Sequence, residues 1–315
     1  MKASDPSNVR SRVAFWTCPA CRGSLEGEPP GALSCLACHR RYRADAAWGG
    51  PDFLADAAPD TAAEQAECWD VEAGSDHVAA AAAVAEHDAA DIFVKLPRLL
   101  RELDLEGKDY LDLGCGYGRT LLYAARRLGP ASAAGVDVSA VMLGKARAYA
   151  DQLGASVALA RASIDALPLP AESVDVVYSS AVLLHLPTEM ATRTMREAVR
   201  VLRPGGRAIF EDCLVGWLNP DGIQTKIVTT LGRRSLRTAW VRTYRRSEVE
   251  AMVRAAGPIS EATIDVEGYR LLPKSLGGLQ LTPLKPFIAR VNERASRRLR
   301  FGSLLASGWS VTLHK

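Results

Sequence analysis

The chain has 315 residues, 48% of them hydrophobic, and a net charge of +3, values that suit one or two globular domains with a sizeable core and exclude a disordered or collagen-like chain. No apolar run approaches the roughly 20 residues needed to cross a bilayer, and the polar stretch 1–13 lacks the apolar core of a signal peptide, so a cytoplasmic protein with no membrane partner is expected. Seven cysteines are too few for a disulfide scaffold at this length.

The first unit in chain order, residues 1–56, carries four of those cysteines as Cys18-x-x-Cys21 and Cys35-x-x-Cys38. Each pair turns two sulfurs to one side of a tight knuckle, and two knuckles complete a tetrahedron around a borderline-soft ion. The pattern predicts a four-thiolate zinc ribbon. Pro19 and Gly23 favour the first turn, and His39 is a weaker competitor for a ligand position. A closed four-sulfur site leaves no open coordination position, so the expected Zn2+ is structural. The small module depends on it for stability.

Residues 57–106 hold three basic against twelve acidic residues, a net −9, and the Ala-rich composition predicts a helical cap, kinked near Pro97. Residues 213–315 hold seventeen basic against seven acidic residues, a net +10. The two stretches can pack as mutually attractive solvated faces, or the basic one can meet an anionic substrate or RNA.

From Asp109 the pattern alternates. Strands are predicted at 110–113, 133–136, 157–161, 174–179 and 207–211. Helices fall between them at 119–128, 140–153 and 188–202, the last ended by Pro204-Gly205-Gly206. This is an α/β pattern, a parallel sheet with helices on both faces. Ser247 as N-cap with Glu250 predicts a capped helix over 247–256, and 259–266 and 308–313 read as closing strands. Insertions at 214–246 and 272–303 interrupt the domain at 107–315 and are expected to shape a substrate site.

The turn Asp112-Leu-Gly114-Cys115-Gly116-Tyr-Gly118 sits between a strand and a helix. Its glycines let a backbone approach a ligand closely. Asp137 ends the next strand, about 20 residues on, where a carboxylate accepts ribose hydroxyls. Val138 and Met142 offer an apolar face for an adenine ring. The turn reads Gly-x-Gly-x-Gly and carries Asp112 beside it, which repels a pyrophosphate and suits a cationic ligand such as S-adenosylmethionine. Cys115 is read as a small filler of the turn.

Together, residues 111–118, Gly-Val-Asp-Val-Ser at 135–139, Ala-Leu-Pro-Leu-Pro at 166–170, Val-Asp-Val-Val-Tyr-Ser at 174–179 and Leu-Arg-Pro-Gly-Gly at 202–206 resemble the class I, Rossmann-like S-adenosylmethionine-dependent methyltransferases. The resemblance implies that Asp112 and the backbone of Gly114–Gly118 hold the methionine part of the cofactor and Asp137 the ribose. Ser179 lies at the mouth of the fourth strand, and Ser163 with the Ile164 backbone lies near adenine. Many relatives have an acid beside adenine. Ser163 occupies that position here, and Asp165 follows two residues later.

Methyl transfer is an in-line displacement in which the protein mainly orients its reactants. His185 is the candidate general base. His77 and His87 read as surface histidines. Trp69, Trp217, Trp240 and Tyr244 are candidates either for a substrate pocket or for core packing. The favoured substrate is a small molecule or modified peptide methylated at O, N or C, with specialised metabolism as its setting. A ribbon ahead of such a domain also resembles the ribosomal RNA guanine methyltransferases, and the basic, aromatic-containing segment 233–246 suits RNA. Gly49–Leu54 departs from that family. A non-catalytic S-adenosylmethionine-binding adaptor is the third reading.

Overall fold

A computed structural model of the chain describes residues 16–27, 31–46, 48–54, 60–72, 100, 103–212, 244–269, 275–276, 279–280, 287, 290–291 and 306–315. His77, His87, Pro97, Cys213, Trp217, Trp240 and most of both insertions lie outside these residues. No helix among the described residues is long and apolar enough to cross a membrane.

The element order begins with β1 (Leu25–Glu26), β2 (Leu33–Cys35), β3 (Arg41–Ala44), β4 (Pro51–Asp52) and α1 (Asp60–Glu72). The alternating part follows as β5 (Asp109–Leu113), α2 (Arg119–Arg127), β6 (Ser132–Asp137), α3 (Ala140–Leu153), β7 (Ala158–Arg161), β8 (Val174–Ser180), α4 (Thr188–Val201) and β9 (Leu202–Asp212). It closes with α5 (Arg246–Ala255), β10 (Glu261–Tyr269), the short hairpin β11 (Ser275–Leu276) and β12 (Leu279–Gln280), and β13 (Ala306–His314).

The main sheet runs β1-β2-β3-β4-β7-β6-β5-β8-β9-β13-β10. Its centre, β4 to β9, is parallel. Successive side chains of a strand point to opposite faces, and both faces of this centre are covered. Tyr110, Val176, Tyr178 and Ile209 pack with α2 and α3. Leu111, Leu113, Val177 and Phe210 pack with α4 and α5 on the other face. The strands therefore read as continuous apolar runs.

Three features differ from the sequence reading. The sheet is mixed, because β13 runs antiparallel to both β9 and β10 and fills the slot between them. The Pro204-Gly205-Gly206 stretch does not separate a helix from a strand. It bulges within β9, whose register jumps from Val174↔Leu202 to Val176↔Arg207. Helix α5 is capped two residues earlier than Ser247, at Arg245: the Arg245 amide donates to Glu248 Oε2 at 2.7 Å, so Glu248 and not Glu250 holds the helix start.

The cysteine region is not a separate bead on a linker. β3 pairs with β4, and β4 pairs in parallel with β7. Cys18, Leu33, Cys35, Tyr42 and Phe53 belong to the same apolar cluster as Leu111 and Leu113. Arg161 at the end of β7 ties the join, bonding Asp52 at 2.9 Å and the Val138 carbonyl at 2.9 Å. Strands on both sides of the expected boundary at residue 56 therefore share one continuous sheet.

Candidate active site and cysteine cluster

The strand order reverses between β5 and β8: the chain winds outward from β5 through β6 to β7, then returns to β8 and β9 on the other side. Open α/β sheets bind ligands in the crevice at such a point, beyond the carboxyl ends of the strands. The glycine turn after β5 lies there. Gly114, Gly116 and Gly118 have φ of 68, 54 and 88°, a left-handed region that costs other residues strain. A Cβ on Gly114 would lie 2.5 Å from Val182 Cγ2, whereas a Cβ on Gly116 would meet nothing within 4 Å. The turn is thus packed on one side and open on the other.

Asp137, at the end of β6, closes the turn. Its Oδ2 accepts from Gly116 N at 2.8 Å and its Oδ1 from Ser139 N at 2.9 Å. Burial pushes its carboxyl above the usual range, opposed by the backbone N–H groups of Ser139, Gly116 and Val138. Cys115 is buried, and its Sγ lies 2.7 Å from where a Cβ on Gly135 would sit. The thiol fills the space between turn and strand.

Asp112 lies beneath the turn, not on its surface. It is 1% exposed and accepts from Thr120 Oγ1 at 2.5 Å. Burial raises its carboxyl to about 7, with Thr120 and Arg119 opposing. Any pull on a cation at the turn acts through the low-dielectric interior. Between about pH 4 and 7 the folded chain holds a proton here that the unfolded chain has released, so this group's contribution to stability falls as pH rises through that window. Asp112→Asn, which keeps an acceptor for Thr120, is expected to raise the stability of the ligand-free protein above pH 7 by about 1–4 kcal/mol. Denaturant melts at several pH values check this, and the gain is expected to vanish near pH 4.

Ser163 and Ile164 are buried in the loop after β7. The Ser163 hydroxyl donates to Asp165 Oδ1, and Arg193 holds Asp165 Oδ2 at 2.8 Å. Asp165 is therefore committed to Arg193. Ser179 is sealed as well, its Oγ donating to Leu113 O at 3.1 Å. It joins β8 to β5, and its side chain does not reach the mouth.

Helix α1 lies across the crevice. Asp70 Oδ1 accepts from Ser139 Oγ at 2.5 Å and from Val141 N at 3.2 Å at the start of α3. Trp69 packs with Met142 and Tyr117. Its ring also meets the His185 ring edge-on at 4.9 Å and 80°. A cavity of about 600 Å3 opens between α1, Leu54 and Arg161.

His185 ends a single 3-10 turn, Leu183–His185, which four side chains from elsewhere hold. Asp212 accepts from Leu183 N at 2.9 Å. The Tyr244 hydroxyl donates to Leu186 O at 2.7 Å and Leu183 O at 3.0 Å. Gln65 donates to the His185 carbonyl at 3.1 Å, and Trp69 meets its ring. Tyr244 is thus a buried strut. Asp70, Gln65 and Asp212 carry no sequence signal, since no motif or spacing sets them apart from the polar residues around them.

The four paired cysteines converge. Their Sγ atoms lie within 4.8 Å of one another, and among the described residues they form the sole group of three or more candidate metal ligands. His39 is outside it. Cys18–Cys38 and Cys21–Cys35 sulfurs are 3.6 and 3.4 Å apart. Four thiolates about 2.3 Å from a tetrahedral zinc ion stand about 3.8 Å apart, so the arrangement fits that ion. The knuckles match: Arg22 and His39, each following the second cysteine of its pair, have φ of 64 and 58°. Their amides return to Cys18 O and Cys35 O at 2.7 and 3.0 Å. A Cβ on Gly23 would lie 2.7 Å from Ala37 Cβ, so glycine lets the knuckles meet.

Residues 111–206 match a family model described as a methyltransferase domain. An arsenite methyltransferase of Halobacterium salinarum is 37% identical over 120 residues, 38% of this chain and 30% of that protein. A 27-O-demethylrifamycin SV methyltransferase of Amycolatopsis mediterranei is 31% identical over 175 residues, 55% of this chain and 62% of that protein. The chain thus spans less than two thirds of the length of these curated relatives. A solved S-adenosylmethionine-dependent methyltransferase from Archaeoglobus fulgidus aligns over 78% of this chain and 98% of its own, at 14% identity and a TM-score of 0.48.

Proposed function

We propose that the chain transfers a methyl group from S-adenosylmethionine to an O, N or C nucleophile of a small molecule or modified peptide. The observation that carries this reading is Asp137, whose carboxylate is fixed by Gly116 N and Ser139 N beside a glycine turn open on one side. When bound, the cofactor supplies an electrophilic methyl group. The protein's part is then orientation. Asp137 takes the ribose hydroxyls, and the backbone of Gly114–Gly118 takes the methionine end, with the Asp112 carboxyl beneath it. Val138, Met142, Ser163 and Ile164 flank the adenine. Trp69 of α1 covers the crevice and excludes water. The acceptors named for the partial relatives, arsenite and a demethylrifamycin, accord with a small acceptor.

His185 is proposed as the acceptor-side base, since its turn is packed against Val182 and the glycine turn while its ring faces α1. His185→Gln is expected to lower kcat by about 10²–10⁴ and to leave donor affinity within about twofold. Single-turnover methyl transfer together with donor titration separates the two. An unchanged kcat removes the base from the mechanism and leaves orientation alone.

The four cysteines are proposed to hold one structural zinc ion. The decisive experiment is calorimetric titration of the purified chain with S-adenosylhomocysteine, followed by transfer of labelled methyl groups into nuclease-treated bacterial extract. Binding and labelling of low-mass products are expected. Absence of binding refutes the reading, and labelling that appears only when RNA is intact moves the acceptor to RNA.

A further inference from the structure

The loop 163–169, placed above beside the adenine, is gripped from outside by the cysteine module. Arg22 sits within the first knuckle, between Cys21 and Gly23. Its Nη1 donates to Leu167 O and its Nη2 to Glu197 Oε2 at 3.0 Å. Glu197 lies on α4, about nine-tenths buried, and its Oε2 also accepts from Leu167 N at 2.8 Å. Arg200 completes the clamp, holding Glu197 at 2.7 and 2.9 Å and donating to Leu169 O at 2.8 Å. Thr17, just before Cys18, donates its amide to Pro168 O at 2.9 Å. Leu167 and Pro168 are thus bonded to the module or to the carboxylate the module engages, and Leu169 to the arginine paired with that carboxylate.

The knuckle fixes the direction of that grip. Arg22 has a left-handed backbone, a strained conformation for a residue with a Cβ. The turn closed by Arg22 N on Cys18 O enforces it. A bidentate guanidinium aimed from a rigid turn loses little freedom on binding.

We propose that Arg22 is a positioning residue: the metal-held knuckle uses it to fix loop 163–169, and through that loop it sets the affinity for the adenosine end of the methyl donor. This rests on the methyl-donor reading of the crevice. The module's role is then to brace the cofactor site from behind. Without Arg22 the buried Glu197 keeps Arg200 but loses its second cation, and the Leu167 carbonyl loses its shortest partner. The loop then samples positions in which Ser163 and Ile164 no longer meet the ring.

The test compares the zinc-loaded full-length chain with Arg22→Ala, Arg22→Lys and, as a control, Arg41→Ala, an exposed arginine on the same module. Three quantities are read: zinc per chain, hydrogen exchange of the Ala166 and Leu167 amides, and S-adenosylhomocysteine affinity. Arg22→Ala is expected to keep one zinc, exchange at those amides at least tenfold faster and bind about tenfold more weakly. Arg22→Lys is expected to fall between it and the wild type, and Arg41→Ala to match the wild type. Wild-type exchange or wild-type affinity in Arg22→Ala overturns the proposal. If Arg22→Ala fails to retain zinc, Arg22→Lys decides by the same two readings. A wild-type chain that binds no S-adenosylhomocysteine refutes the methyl-donor reading instead, while the exchange rates still report on the brace.

Discussion

Replacing Cys35 with serine is expected to abolish zinc uptake at the proposed four-cysteine site and to unfold the module around it. Cys35 is 1% exposed, and its Sγ stands 3.4 Å from that of Cys21. It also accepts from Cys38 N at 3.5 Å. A serine oxygen can replace neither the soft ligand nor its reach. Apparent binding free energies for structural zinc are on the order of 10 kcal/mol, comparable with the whole stability of a domain, about 5–15 kcal/mol. The loss will not stay local. Cys35 shares an apolar cluster with Phe53, Leu111 and Leu113, and the edge of β7 is covered by β4. We expect one zinc per wild-type chain by elemental analysis and none in Cys35→Ser. Proteolysis should become rapid within the module, and the cooperative melt should broaden or vanish. Cys68→Ser, on α1, is expected to keep both metal and melt. A Cys35→Ser protein with full protease resistance would show that packing alone holds the module.

Replacing Asp137 with alanine is expected to weaken S-adenosylhomocysteine binding by about 10²–10³, or about 3–4 kcal/mol at 1.4 kcal/mol per tenfold. Hydrogen bonds to a charged acceptor contribute about 1.5–3 kcal/mol each, and the carboxylate is positioned for two sugar hydroxyls. The substitution also leaves the amides of Gly116 and Ser139 without their acceptors, a cost of about 1–3 kcal/mol each. The melting temperature of the ligand-free protein should therefore fall as well. Asp137→Asn keeps the shape and one acceptor oxygen, so it should lose affinity with a smaller thermal penalty. Calorimetry and thermal melts on both variants separate recognition from support of the turn. Affinity within threefold of wild type for Asp137→Ala would remove Asp137 from the ligand's contacts.

The parts of this molecule that depend on neighbouring residues were readable in the amino-acid order. The glycine turn, Asp137 at a strand end and the two cysteine knuckles are local geometry, and their spacing carries it. Hydroxyl orientation is not local: Ser163 turns to Asp165, and Ser179 to Leu113, because the nearest acceptor lies inside the fold. Strand direction was also hidden. β13 lies antiparallel between β9 and β10, and its alternating run Ala306–His314 reads the same in either sense. Glu197 was missed although a signal existed. With Met190, Thr194 and Val201 it lies on one helical stripe, and all four are buried, so a carboxylate there demands a cationic partner. One partner, Arg200, stands three residues on, within reach of helix spacing, but the other, Arg22, is 175 residues away, and no spacing rule reaches so far.

The slot filled by β13, next to the edge of the sheet, has a consequence for synthesis. On the ribosome, β9 and β10 emerge before residues 306–314 exist: β9, paired with β8, must wait with one row of amides and carbonyls unpaired, and β10, whose partner in the main sheet is β13, with both. Open strand margins of this kind invite pairing with other nascent chains. The register that finally seals them spans Arg207 to Asp212 on one flank and Glu261 to Tyr269 on the other. Stop codons or frameshifts ahead of residue 306 will therefore give insoluble products even though every residue of the glycine turn and the cysteine knuckles has already been made.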